Sequence, residues 1–546
     1  MFSAVDIKSM RKNQPENLMK LLAKSIDRIF VFLTRSTNVE EVINSVRILI
    51  RILPYCFEED GSALSLAFFW KRFDDNPDVP SLGKKLLEAA VDLLYVSNFT
   101  LVSVSETRLQ YIPWRKGFFS DHDQTINEVI MKNRTIVLQL LMTLLSNVMY
   151  VKPEVLLKRI NPWSDCLLSM DENVLKVLFS SLLNTILAYN ANGWKIPYSE
   201  MLYQNTTEED YISLCFYTLI SVLDIHPSSS NYFLNLFDKV DSFEKIICGL
   251  EAFLDYSVGL KPGCMHIEVF LLLWKLLESE KFMKFILKER RYSKILYAVF
   301  YHSNLVKSDQ LQSGLFNLLC FILISFCSQV EFLQDLNLPH NFDLPGIKNT
   351  PGTIGDFLIS VVIDFIHNAK NALFIPNLVE CFYFMIMNCS LYCDTFSTII
   401  CGKLIGLFKS QKEKNFRNHL LESFQNVVRH KADRNFNLLY AICCEKSLFL
   451  ECPRESPIML LFNLVLVEIE RITEDQHVYD ETIIMEYLKS VVLPVEPVNG
   501  PSHVFSRDAG VKIWFTSNLF GILFLKFSNP PIWFGSDVKL FNIKTI

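Results

Sequence analysis

The stretch LMKLLAKSIDRIFVFL, Leu18 to Leu33, reads as an amphipathic helix and sets the reading of the whole chain. Leu18, Leu22, Ile26, Ile29 and Leu33 recur every three or four residues and draw one apolar stripe. Lys20, Lys24, Asp27 and Arg28 fall mostly off that stripe, on the side left for water. A helix with one apolar stripe has to bury it against a neighbour, and the neighbour follows at once. Val39 to Leu53 repeats the period and is expected to stop at Pro54, which cannot donate to the helical ladder.

The same period recurs at Leu82–Tyr95, Thr125–Tyr150, Glu154–Leu168, Glu172–Tyr189, Glu208–Leu223, Phe243–Leu254, His266–Leu277 and Gln310–Cys327. It resumes at Asp356–His367, Leu378–Met387, Phe396–Phe408, Arg417–Val428, Asn435–Cys443 and Ile458–Arg471. A looser region, Ser97 to Asp123, contains Trp114 and Gly117. About twenty helices with short connectors and weak strand alternation predict an all-α fold, an irregular α-solenoid of stacked helix pairs of armadillo or HEAT character. No strict residue period labels the repeats. The expected division is 1–336 for the N-terminal part of the stack and 337–355 for a loop with Pro339, Pro345 and Pro351. Helical repeats follow at 356–491, then a loop at 492–507, and a block at 508–546 that closes the stack.

Composition agrees. Gly (17) and Pro (21) are sparse for 546 residues, against a turn-dense β protein. With 53 basic and 59 acidic residues the net charge is −6, which lacks the basic footprint of a nucleic-acid binder. Mean hydropathy of +0.23 is high, so membrane spans have to be weighed. A span needs roughly 20 mostly apolar residues. Gly314 to Cys327 is shorter and carries Asn317; Cys381 to Cys401 contains Asn388 and Asp394; Pro457 to Val467 runs into Glu468 and Glu470. They read as helices buried on several sides, with no transmembrane helix. The second reading is an integral membrane protein, a transport component, with spans near 314–327 and 381–401. Phe2 to Asn17 holds no signal-peptide core, and the 14 cysteines form no CxxC pair, which fits a reducing, cytosolic-facing setting. The glycosylation-type triplets at Asn98, Asn133, Asn205 and Asn388 are then read as chance matches.

No phosphate loop, zinc-protease or serine-hydrolase motif occurs. Cys389, Cys393 and Cys401 have some look of metal ligands, but lie in an apolar helical run and are read as core thiols. Glu58-Glu59-Asp60 and Glu208-Glu209-Asp210 are read as loop–helix junctions, where carboxylates meet the positive end of the helix dipole. No catalytic residue, metal or cofactor is assigned. Two basic groups are candidates for an anionic lipid surface: Lys20, Lys24 and Arg28 on the first long helix, and Lys288, Arg290 and Arg291.

The closing stretch, Trp514 to Ile546, carries a resemblance. Its Trp514, Pro530, Pro531, Trp533, Asp537 and Phe541, with ordered blocks upstream, are similar to the high-temperature-induced dauer-forming protein family, distantly related to dymeclin. The upstream blocks include Leu53 to Glu59, Phe68 to Trp70, Leu86 to Tyr95, Asn161 to Trp163, Ser181 to Thr185, Phe270 to Leu276 and Asn437 to Ile442. The resemblance implies a large helical, non-enzymatic protein, peripherally attached to Golgi membranes from the cytosol. It also implies protein partners and a role in vesicle traffic and protein sorting. Self-association is not readable from it. Animal members of that family begin Met-Gly, a myristoylation acceptor, whereas Phe2 stands here. Attachment is therefore expected through the basic helix, another surface or a partner. Members also carry a long insertion before the C-terminal block, where this chain has a modest loop. Asn529-Pro530-Pro531 is expected to end the last helix, with Trp533 and Phe541 folding back over an apolar face. Trp533→Ala should then cost about 3–5 kcal/mol in a thermal melt, and an unchanged melt would mark the ring as exposed.

Overall fold

The Leu18–Leu33 pattern lies on a helix, Pro15–Thr34, that buries Leu18, Leu22, Ile26 and Ile29 as the period requires. At its end Phe32 is buried and Leu33 half-buried, because 3.6 residues per turn from Ile29 fall between the two positions. In the computed structural model, the described residues are 3–35, 38–71, 80–102, 107–124, 126–150, 161–189, 206–226, 231–259, 265–309, 312–340, 352–368, 378–476 and 481–526. Among them there is no β-strand, only isolated bridges such as that between Val96 and Leu109. The fold is all-α, with helices in a repeat-like packing. The chain forms two compact units: Met1–Met283 with Arg507–Ile546, and Lys284–Ser506.

In the first unit one row of helices runs Pro15–Thr34, Val39–Phe57, Glu128–Leu145, Thr206–Leu223, His266–Leu276, each packed on the next. Val39–Phe57 passes through Pro54 instead of stopping there, ending one turn later. Leu53, Pro54, Tyr55, Cys56 and Phe57 are all buried, and that burial outweighs the missing amide hydrogen bond. The Arg11 guanidinium, from the helix before, reaches the Tyr55 carbonyl and pairs with Glu58 at 2.8 Å. The looser region predicted at 97–123 is non-helical where described and is pinned by three side chains. Arg134, buried, donates to the Thr100 carbonyl at 2.7 Å and lies 4.5 Å from the Trp114 ring. Asn133 donates to the Phe99 carbonyl at 2.9 Å. Asn184 holds the Phe118 amide at 2.8 Å and donates back to the Phe118 carbonyl at 3.0 Å. Gly117 sits at φ +154° beside it, and a Cβ there would fall 2.6 Å from Asn184 Oδ1. Only glycine fits.

The second unit is the clearer repeat. Ser313–Phe326, Leu378–Tyr392, Lys414–His430 and Pro457–Gln476 form one row, each against the next. Ile354–Asn368, Thr398–Ser410, Phe436–Cys444 and Glu481–Ser490 form a second row. This is the stacking of helix pairs expected of armadillo or HEAT character. Tyr292–Val306 had no separate sequence signal, because it is buried on most sides and lacks a polar face to mark its period. The candidate spans resolve into helices too short to cross a membrane: Ser313–Phe326 has 14 residues and Leu378–Tyr392 has 15. At about 1.5 Å per residue each reaches little over 20 Å, against roughly 30 Å of hydrocarbon. Among the described residues one run, Glu128–Tyr150, meets the length and hydropathy of a span, with 67% of its most apolar window buried inside the protein, and Ser313–Phe326 does so only together with Val330–Asn337, across a bend of 83°.

After Ser490 the segment read as a loop becomes an extended strap that runs back along the first row. The Glu496 amide donates to the Arg429 carbonyl at 2.9 Å, at the end of Lys414–His430. On Leu378–Tyr392, His503 stacks on Phe384 at 3.8 Å. Phe505 stacks on Phe321 at 5.7 Å and donates its amide to Ser328 Oγ at 3.0 Å. From Pro501 to Ser506 the side chains alternate half-buried and exposed, the period of two of an extended chain. Asn388 ties the strap down, donating to the carbonyls of Cys327 (2.9 Å) and His503 (2.7 Å) and accepting from the His503 amide at 3.1 Å. Asn388→Ala strands those groups and should lower stability by about 2–4 kcal/mol. Urea unfolding with an unshifted midpoint would show that the strap contributes nothing.

Candidate functional site

A cluster of buried charge grows from the end of a deeply enclosed helix of the first unit. Every residue from Tyr211 to Leu223 on Thr206–Leu223 is buried, so this helix meets protein on all sides. It ends at Asp224, buried, whose negative charge lies at the negative end of the helix dipole. That placement needs compensation. Lys275 of His266–Leu276, also buried, supplies it at 2.9 Å from Asp224 Oδ1. Lys275 also pairs with Glu278 at 2.6 Å.

The chain returning from the strap completes the cluster. Arg507 pairs with Glu278 at 2.7 Å, donates to the Trp274 carbonyl at 2.9 Å and lies 3.6 Å from the Trp274 ring centroid. The closing helix, Ala509–Lys526, then lays Phe515 beside Trp274, centroids 6.4 Å apart, and Thr516 donates to Asp224 Oδ2 at 2.6 Å. Two carboxylates and two cations are thus closed into one network. Burial pushes the Glu278 carboxyl up, but Lys275 and Arg507 together outweigh it and hold the group below its ordinary value. Burial lowers Arg507, with Glu278 opposing it.

Beside the network lies a cavity of about 30 Å³, lined by Ser221, Asp224, His226, Thr516, Phe520 and the neighbouring Leu145, Val148, Asn161 and Ser164. That volume admits a water or two and no substrate. His226 Nε2 stands 3.6 Å from Asp224 Oδ1, too far for a hydrogen bond, and the buried Ser221 Oγ has no partner. Burial lowers the His226 pKa, ahead of the opposing pull of Asp224. Neither histidine nor serine carried a sequence signal: Asp224 and His226 sit at the end of a helix, with no motif around them, and their partners are far away in the chain.

The residues singled out by sequence are spread over both units. Lys20, Lys24 and Arg28 are exposed in a row on Pro15–Thr34, with Arg28 held by Glu41 at 2.5 Å. In the other unit, Lys288 projects into solvent, whereas Arg290 forms a two-pronged pair with Asp335 at 2.8 and 3.0 Å, and Arg291 is half-buried. Of the closing signature, Trp514 is half-buried and its neighbour Phe515 is the core residue. Pro530, Pro531, Trp533, Asp537 and Phe541 lie outside the described residues. Cys389, Cys393 and Cys401 are buried, and burial raises each thiol, Cys401 to about 12. The carboxylates at Glu208 and Glu209 occupy the first turn of a helix, and Glu58 stands at a helix junction. Asn133 and Asn388 are buried with their amides on backbone carbonyls, leaving no room for a glycan.

Removing one member of the network should show its cohesion. Glu278→Gln leaves Lys275 and Arg507 short of a counter-charge and should cost about 3–5 kcal/mol. Because the folded-state value of Glu278 lies below its ordinary 4.5, its contribution is present above that pH and is lost as pH falls through the depressed value. The variant's stability, followed by urea unfolding from pH 6 to 3, should therefore fall less steeply below about 4.5.

Comparison with known proteins places the chain. Protein HID1 of Homo sapiens is 23% identical over 744 aligned positions, covering 100% of this chain and 94% of its own. Protein HID1 of Dictyostelium discoideum is 23% identical over 67% of this chain and 47% of its own. The Ubp5-interacting protein ftp105 of Schizosaccharomyces pombe is 25% identical over 68% of this chain and 44% of its own. The human alignment is longer than this chain's 546 residues, so that relative carries insertions absent here. No solved structure matches. The dymeclin family, described as Dyggve-Melchior-Clausen syndrome protein, matches residues 2–516, and this chain, built of stacked helices to which its closing helix returns, belongs to that family.

Proposed function

We propose that this protein is a non-enzymatic scaffold or adaptor, peripherally bound to the cytosolic face of the Golgi, that holds protein partners during vesicle traffic and protein sorting. The observation that carries this reading is the agreement of a family match over nearly the whole chain with a fold of stacked helix pairs. Stacks of this kind offer extended surfaces to other proteins. The cavity beside the buried charge cluster has room for water and none for a substrate. One relative is named for its interaction with another protein, Ubp5. That name belongs to the relative, and it favours partner binding here.

Membrane attachment is assigned to the exposed row of Lys20, Lys24 and Arg28, of which Arg28 also pairs with Glu41 of the next helix. Three cations near an anionic surface contribute about 1 kcal/mol each, enough to assist a partner and too little to anchor alone. The test is a tagged full-length copy imaged with Golgi markers and extracted with alkaline carbonate. Golgi overlap with release into the supernatant is expected. A diffuse signal beside intact Golgi would overturn the reading, and retention in the carbonate pellet would favour an integral protein. Reversing Lys20 and Lys24 to Glu, with Arg28 left on Glu41, should reduce sedimentation with vesicles containing phosphatidylserine and leave the melting temperature unchanged. Equal sedimentation would remove the basic row from the account.

A further inference from the structure

The cavity beneath the closing helix has a feature that structural packing alone does not use. It is lined by a half-buried histidine, His226, whose buried Nε2 has no hydrogen bond, beside a carboxylate whose two oxygens are already committed. Asp224 Oδ1 holds Lys275 at 2.9 Å, and Oδ2 accepts from Thr516 at 2.6 Å. With His226 neutral, the carboxylates of Asp224 and Glu278 balance Lys275 and Arg507. A proton on His226 adds a third cation inside the network, with Lys512 on the closing helix adding to the unfavourable field. The other polar groups lining the cavity, Asn161, Ser164 and Ser221, are uncharged and offer no further counter-charge.

We propose that His226 is a proton-operated release for the closing helix. The imidazolium can be satisfied only by drawing an oxygen of Asp224 toward Nε2 across the present 3.6 Å. Lys275 is held by two carboxylates and is the harder partner to displace. The Thr516 hydroxyl is neutral and yields first. Its hydrogen bond is a direct polar tie between the closing helix and the end of Thr206–Leu223, so its loss loosens Ala509–Lys526, while Arg507 stays paired through Glu278. The balance runs in one direction. His226 titrates lower when folded than when unfolded, so the contact is intact above the ordinary value of 6.5 and weakens as pH falls below it.

Hydrogen exchange with mass spectrometry on the full chain, corrected for intrinsic exchange rates, tests this at pH 7.5 and 5.5. Protection of peptides within 509–526 is expected to fall by up to about tenfold per pH unit below 6.5, the most that one proton supplies. His226→Gln cannot titrate and should hold its protection across the range. Thr516→Val, which keeps the shape and removes the hydroxyl, should be less protected at both pH values and lose the pH-dependent part. A flat wild-type profile overturns the proposal, as does a wild-type slope retained in His226→Gln. If His226→Gln fails to fold, Thr516→Val decides: a slope equal to wild type shows that the release does not run through Asp224.

Discussion

The ion pair between Asp224 and Lys275 is the constraint around which the first unit is arranged. Thr206–Leu223 is buried without a break from Tyr211 to its end, so its C-terminal carbonyls cannot be left to water. Placing a carboxylate there is unfavourable against the helix dipole and costly to desolvate. The arrangement holds because His266–Leu276 delivers Lys275 to within 2.9 Å, and Glu278 and Arg507 close the charge balance. A buried pair of this kind gives little net stability over an apolar substitute. Its effect is positional. The closing helix is mostly apolar in sequence, so an apolar stripe alone does little to fix its register. Thr516 on Asp224 and Arg507 on Glu278 select one.

The strap does for the second unit what the network does for the first. Repeat stacks are held by nearest-neighbour contacts, so each helix pair senses only the next. An extended segment pinned at Arg429, Asn388 and Ser328 adds contacts between helices distant in sequence. The polar cost is small because the helix-row carbonyls it meets are satisfied by Asn388, and its aromatic side chains stack on Phe384 and Phe321. Val504, between them, is exposed because an extended chain must turn alternate side chains away.

The helices were legible in the sequence because each has an apolar stripe whose period survives without knowledge of its neighbours. The Pro15–Thr34 stripe is the plainest case, and Pro54 marks the limit. Proline predicts a stop from local chemistry, whereas burial of Leu53 through Phe57 is a tertiary effect that overrides it. Tyr292–Val306 was silent for the opposite reason, since a helix buried on most sides has no polar face to set its phase. The polar anchors were harder still. Asn184, Asn388 and Arg134 act on residues 34 to 115 positions away, and nothing local distinguishes a latch from a surface amide. The charged cluster joins positions 224, 275, 278, 507 and 516, a grouping that only the return of the chain creates.

The same logic separates the two kinds of basic residue that sequence alone treats as equal. Arg507 and Arg290 resemble surface cations in composition, yet one is half-buried against Trp274 and Glu278 and the other is clamped on Asp335 by two nitrogens. Guanidinium groups suit such sites because their fork matches a carboxylate and their flat face stacks on an aromatic ring. Lys20 and Lys24 have neither contact among the described residues, and an ammonium on a flexible stem in water is free to meet a diffuse anionic surface. A lipid surface supplies many phosphates without fixed geometry, so it selects for exposed lysines in a row rather than for a preorganised pocket. The exposed lysines and the anchored arginines are therefore cations of different kinds, and the first can be altered without disturbing the contacts of the second.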